Sequence, residues 1–187
     1  MKREIEIHVL EMTAPGDLRP SRARADGFRV ERARIPSPEL SRFFYTAVGG
    51  DWYWIDRLDW TWERWMAWLD RPELETWIGS FEGTPAGYFQ LERQPDGAVE
   101  IVYFGLLPGF TGRGIGGALL TAAVERAWAM GASRVWLNTC SLDAPAALAN
   151  YQARGFRIFR TLRIEKELPA NPPGPWPGAR GISSSPG

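Results

Sequence analysis

The chain has 187 residues, one cysteine, one histidine, and equal numbers of basic and acidic side chains, 22 of each. That length bounds it to one domain, or one domain and a tail, and is enough to bury a core without covalent staples. Zero net charge removes the field that would draw in nucleic acid or an anionic membrane. The lone cysteine, Cys140, removes an internal disulfide, and a single Cys/His pair removes the usual metal ligands.

The opening MKREIEIHVLEM is charged and alternating, unlike the apolar core of a signal peptide, and no later run reaches the ~18 apolar residues of a membrane span. A cytoplasmic protein is therefore expected. EIEIHVLEM alternates with period two and predicts a first strand, which would hold His8 as an ordinary packing or surface residue. TAPGDLRPSRARADG reads as loop and FRVERARI as a second strand or strand-like arm. Ser37-Pro38-Glu39 predicts a helix start, a serine cap with proline in the first turn, running through ELSRFFYTAV to Gly49-Gly50. DWYWIDRLDW reads as a broken segment. TWERWMAWLD predicts a second helix with Trp62, Trp65, Met66 and Leu69 on one stripe, and that spacing makes Trp62 and Trp65 core. Seven of the ten tryptophans fall between Trp52 and Trp77.

ETWIGSFEG and TPAGYFQLERQ predict a hairpin about Glu82-Gly83, and PDG joins it to a further strand, AVEIVYFGLL. A glycine loop and the helix GGALLTAAVERAWAM follow, closed by Gly131. SRVWLNTC is a strand, APAALANYQARG a helix ending at Gly155, and FRIFRTLRIEKEL one or two closing strands. The domain is expected over residues 1–168, and the Pro/Gly/Ser-rich tail, residues 169–187, is expected to be disordered.

The glycine loop carries the chemistry. Gly112-Arg113-Gly114-Ile115-Gly116-Gly117 fits the dinucleotide pattern G-x-G-x-x-G, but the acidic residue that should follow about 20 positions later is absent: Leu137 stands there. A Walker P-loop needs Lys-Ser/Thr after its last glycine, where Ala118 and Leu119 stand instead. What fits is a strand ending at Leu106-Leu107-Pro108 and turning into a helix near Gly114. The first N–H groups of that helix have no intrahelical partner, and its dipole is positive at that end. Glycines let a pyrophosphate approach those groups closely.

Glu100 to Phe156 resembles the core of the GCN5-related N-acetyltransferases. Their Gln/Arg-x-x-Gly-x-Gly/Ala signature, three residues after a proline, appears as Thr111-Gly112-Arg113-Gly114-Ile115-Gly116 after Pro108, and their Ala-x-x-x-Tyr-x-x-x-Gly-Phe pattern as Ala147 to Phe156. Thr111 departs from the usual Gln/Arg; the backbone amides carry the cradle, and Arg113 is the substitute for the phosphate contact. The resemblance implies an α/β fold with a mixed sheet of six to seven strands, about four helices, and a splayed strand pair at the cofactor site. It implies acetyl-CoA as co-substrate, without a metal, held by Leu106, Leu107, Thr111, Gly112, Arg113, Gly114, Ile115, Gly116, Gly117 and Asn150. Backbone amides near Leu106 would donate to the thioester carbonyl. Tyr151 would be the general acid for the leaving thiolate and Glu100 the general base, with solvent-mediated or unassisted proton loss as the competing route.

The expected partner is a small-molecule or peptide amine, with nucleic acid and membrane excluded and homodimerisation left open. Trp52, Tyr53, Trp54 and Asn138 are the candidate acceptor contacts, because aromatic faces attract ammonium groups and cover apolar bodies. The competing function is a non-catalytic acyl-CoA-binding domain that keeps the cradle without the chemistry.

Overall fold

The computed structural model describes residues 1–22 and 26–179. Among the described residues seven strands and four α-helices follow one another as β1 (Lys2–Met12), β2 (Phe28–Ala33), α1 (Pro38–Gly49), α2 (Trp62–Leu69), β3 (Leu74–Phe81), β4 (Thr84–Arg93), β5 (Val99–Leu106), α3 (Ile115–Ala129), β6 (Val135–Cys140), α4 (Ala147–Ala153) and β7 (Arg157–Glu167). The strands form one mixed sheet in the order β2-β3-β4-β5-β6-β1-β7. The closing segment is thus a single strand, and the first strand lies between β6 and β7, antiparallel to both, at the opposite end of the sheet from β2.

The local signals act as chemistry predicts. Ser37 Oγ accepts from Leu40 N at 3.2 Å, with Pro38 in the first turn of α1. Thr61 caps α2 in the same way, accepting from Arg64 N at 3.3 Å. The hairpin turns at Glu82-Gly83.

Helices cover both faces of the sheet. On one face the apolar side of α3, including Leu119, Leu120, Ala123 and Val124, packs on Leu10, Met12, Phe89, Leu91, Val99 and Ile101. On the other face α1 and α2 lay Phe44, Tyr45, Trp65 and Leu69 against Tyr88 and Tyr103. Trp65 is core as expected, but Trp62 is not. It is 54 % exposed, the first residue of an eight-residue helix whose buried side chains are Trp65 and Leu69, and its indole N–H donates to Glu39 at 3.1 Å. His8 lies at the surface of β1, between Thr161 and Glu6.

One feature of the sheet creates the site. Among the described residues the only parallel neighbours, β5 and β6, pair at Val99↔Val135 and Glu100↔Trp136 and then part. On its other side β5 stays joined to β4 as far as Leu106, with an irregularity that leaves Val102 without a partner. The result is a wedge opening toward the end of β5.

The first part of the predicted tail, residues 169–179, is described and folds back on the domain. Gly174 N donates to Gly50 O at 3.0 Å, and Ala170 O accepts from Tyr53 Oη and Arg3. One backbone hydrogen bond to Gly50 and two side-chain hydrogen bonds to Ala170 O tie this segment to the domain. Residues 180–187 lie outside the described residues.

Candidate active site

The wedge holds a groove of about 470 Å³ whose walls come from β5, the glycine loop, the start of α3, the end of β6 and α4. The register of β5 says which backbone groups face it. Leu107 N donates to Ala86 O at 2.8 Å. Hydrogen bonding alternates along an antiparallel strand, so the N–H groups of Phe104 and Leu106 point away from β4, into the wedge. Leu106 therefore presents its N–H to the groove. Leu107 does not: its amide is taken by Ala86, and its side chain packs beneath α1 with Phe44, Val48 and Tyr88.

The loop after β5 has the geometry of a cradle. Gly112 and Gly114 adopt φ of +75° and +76°, a left-handed conformation costly for any residue with a Cβ. A side chain at Gly112 would meet nothing within 4 Å, so the loop lies open on that side. Gly114 caps a fifteen-residue helix, α3, whose first amides have no side-chain cap. Gly112, Gly114, Gly116, Gly117 and Thr111 all line the groove.

Two members of the motif do other work. Ile115 is fully buried in the core, and Arg113 turns outward, its Nε donating to Gly109 O and its guanidinium near the Phe81 and Phe110 rings. The unusual Thr111 closes its own turn, donating from Oγ1 to Pro108 O at 2.9 Å.

Asn138, Asn150 and Tyr151 line the far wall. The Tyr151 ring packs edge-on against Phe104 at 5.9 Å and Phe156 at 6.2 Å. Burial first, and then the negative charge of Asp143, push its pKa up, so the hydroxyl stays protonated.

Glu100 faces the other side of β5 and lines neither the groove nor its neighbour. Gln94 Nε2 donates to it at 3.1 Å. Burial, and then Glu92, raise its pKa to about 7, opposed by Arg57. Arg57 is itself clamped over the rings of Trp68 at 3.9 Å, Trp60 at 4.2 Å and Tyr103 at 4.9 Å. Tyr103 lines the groove, and its pKa is raised by burial against the same opposing arginine. Glu100 thus reaches the cleft only through the Arg57–Tyr103 neighbourhood.

The tryptophan-rich loop divides. Trp52 and Trp54 line the groove, while Tyr53 faces a smaller adjoining cavity. Gly49 lets Trp54 approach: a Cβ there would lie 2.0 Å from the indole. Sequence reasoning missed Tyr103, which reads as an ordinary strand aromatic, and Asp143. The signal for Asp143 was the polar run TCSLD at the end of β6, where Asp143 Oδ2 accepts from Thr139 Oγ1 at 2.7 Å and Cys140 N at 2.9 Å. Among the described residues no cluster of His, Cys, Asp and Glu could hold a metal ion, and no helix is long and apolar enough to cross a membrane.

A family model for the Acetyltransferase (GNAT) family matches residues 38–156, and the chain belongs to that family. It is similar to an uncharacterized N-acetyltransferase of Mycobacterium bovis, 32% identical over 101 residues, which is 52% of this chain and 65% of that protein. Its fold is that of a GCN5-related N-acetyltransferase from Sphaerobacter thermophilus, with TM-score 0.65, 20% identity, and coverage of 88% of this chain but only 51% of that one. A GNAT family acetyltransferase from Elizabethkingia anophelis, solved with acetyl-CoA bound, also shares the fold, with TM-score 0.51, 21% identity, and coverage of 72% and 79%.

Proposed function

We propose that the protein transfers the acetyl group of acetyl-CoA to a primary amine. The observation that carries this reading is the wedge itself: unpaired β5 amides at Phe104 and Leu106 open onto the same groove as the bare N-terminus of α3. A diphosphate needs the second and an extended pantetheine arm needs the first. The residues present fit such a ligand, since Gly112 and Gly114 carry no side chain where it would approach.

The amine nitrogen attacks the thioester carbonyl carbon, a C–N bond forms, and the C–S bond breaks. The Leu106 N–H would stabilise the carbonyl oxygen as it becomes negative. The Tyr151 hydroxyl, kept protonated by its burial, would donate to the departing sulfur. The ammonium proton would pass by way of Tyr103 and solvent to Glu100, whose pKa near 7 suits a proton acceptor at neutral pH. The aromatic wall of Trp52, Tyr53 and Trp54 favours an acceptor with a hydrophobic or aromatic body.

The test is release of free thiol from acetyl-CoA on addition of amines. Amine-dependent release supports transfer. Tight acetyl-CoA binding without any amine-dependent release would leave the non-catalytic binding domain in its place.

A further inference from the structure

Behind the wall formed by Trp52, Trp54, Tyr103 and Asp143, residues common to both spaces, lies the second cavity, of about 190 Å³. Its interior is apolar, with Ile5 and Ile7 from β1, Ile164 from β7, and the rings of Tyr45 and Tyr53. Its two exposed charges cancel: Lys166 Nζ contacts both oxygens of Asp56, at 2.7 and 3.0 Å, joining the tryptophan loop to β7. Asp143 is therefore the unmatched charge of the lining. Both of its hydrogen bonds fall on Oδ2, and among the described residues none reaches Oδ1.

We infer that this cavity is the acceptor's pocket and that Asp143 Oδ1 receives its ammonium. This inference rests on the transferase reading above and specifies its substrate. A cation is drawn to Asp143 on the shared wall, which puts the nitrogen at the meeting point of the two spaces. Asp143 is also close enough to Tyr151 to raise its pKa, so the nitrogen arrives beside the hydroxyl assigned to the leaving sulfur. The body of the acceptor then fills the apolar space. With Lys166 already paired, a carboxylate on the acceptor would find no counter-ion and would meet Asp143, so burying it is unfavourable. The substrate class is a small amine carrying one aromatic or branched apolar group and no carboxylate.

Phenethylamine and phenylalanine differ only by that carboxylate and make the test, with ethylamine as a body-less amine and thiol release from acetyl-CoA as the readout. Phenethylamine should exceed phenylalanine in kcat/KM by at least about tenfold, and should exceed ethylamine similarly. Asp143→Asn should raise KM for phenethylamine about tenfold. Ile164→Trp, at a 41 % exposed edge position where folding tolerates change, should raise it comparably by filling the cavity, while calorimetry shows acetyl-CoA binding unaltered. Equal use of phenylalanine, equal use of ethylamine, or an unmoved KM in both variants overturns the assignment while transfer stands. No thiol release with any of the three amines also overturns the assignment, and the transferase reading falls with it only if a wider panel of primary amines gives no release either.

Discussion

Glu100→Gln should make the protein more stable and less active at the same pH. Desolvation first, and repulsion from Glu92 second, raise this carboxyl from 4.5 to about 7, against the pull of Arg57. At about 1.4 kcal/mol per tenfold, ionising it in the folded state costs roughly 3 kcal/mol; its partial exposure to solvent reduces that to about 2 kcal/mol. Between pH 4.5 and 7 the folded protein holds a proton that the unfolded chain has released, so stability falls as pH rises through that window. Glutamine keeps the shape, accepts the same hydrogen bond from Gln94, and has no charge to desolvate. Chemical denaturation at pH 4.5 and pH 8 should show the wild type losing about 2 kcal/mol more than the variant over that interval. Activity should move the other way, with kcat at pH 8 down about 10²-fold and the rising limb near pH 7 gone. An unchanged pH dependence of stability would refute the account of the buried carboxyl. An unchanged pH–kcat profile would refute its role as proton acceptor and leave the stability argument intact.

Tyr151→Phe keeps the ring against Phe104 and Phe156, so it should lower kcat about 10²-fold with little change in acetyl-CoA affinity, as steady-state kinetics and calorimetry together would show. Gly49→Ala would set a methyl group 2.0 Å from the Trp54 indole; the displaced wall should raise acceptor KM and lower stability by about 1–3 kcal/mol, read by kinetics and thermal melting. Glu75 accepts from Arg126, at 2.6 and 2.8 Å, and from Trp77, and pairs with Arg32 at 3.0 Å. Burial raises its pKa, but the hydrogen bonds from Arg126 and Trp77 and the two positive charges outweigh it and hold the carboxyl below its ordinary value. Its contribution is therefore present above that ordinary value and lost as pH falls. Glu75→Ala strands two arginines that are themselves about one-third exposed, and denaturation at neutral pH should show a loss of about 2–3 kcal/mol.

What was legible in the sequence follows from what is local. Ser37 and Thr61 cap because one hydroxyl and one backbone N–H three residues on suffice, and the period-two and helical patterns place the elements from β1 to β7. The glycine cradle was legible for the same reason: left-handed φ at Gly112 and Gly114 is a property of those residues. What was not legible is non-local. Nothing in EIEIHVLEM says that it will lie between β6 and β7, where Ile5 and Ile7 come to line a cavity. Membership of a motif does not fix which way a side chain turns, so Leu107, Arg113 and Ile115 sit away from the groove their neighbours line. The Trp62 stripe failed because periodicity assumes a helix covered along its whole length. Gly49 and Gly50 were legible as the end of a helix but not as packing residues: both have ordinary helical φ and serve close packing, Gly49 to Trp54 and Gly50 to Gly174 and Pro175.

The central claim is that backbone amides between Thr111 and Gly117 hold the diphosphate of acetyl-CoA. Calorimetric titration of the purified protein with acetyl-CoA tests it most directly, with Gly114→Ala alongside, since a Cβ at φ +76° costs about 1–2 kcal/mol and distorts the cradle. The account predicts saturable one-to-one binding that weakens about tenfold or more in the variant. No uptake by the wild type, or equal uptake by both proteins, would contradict it.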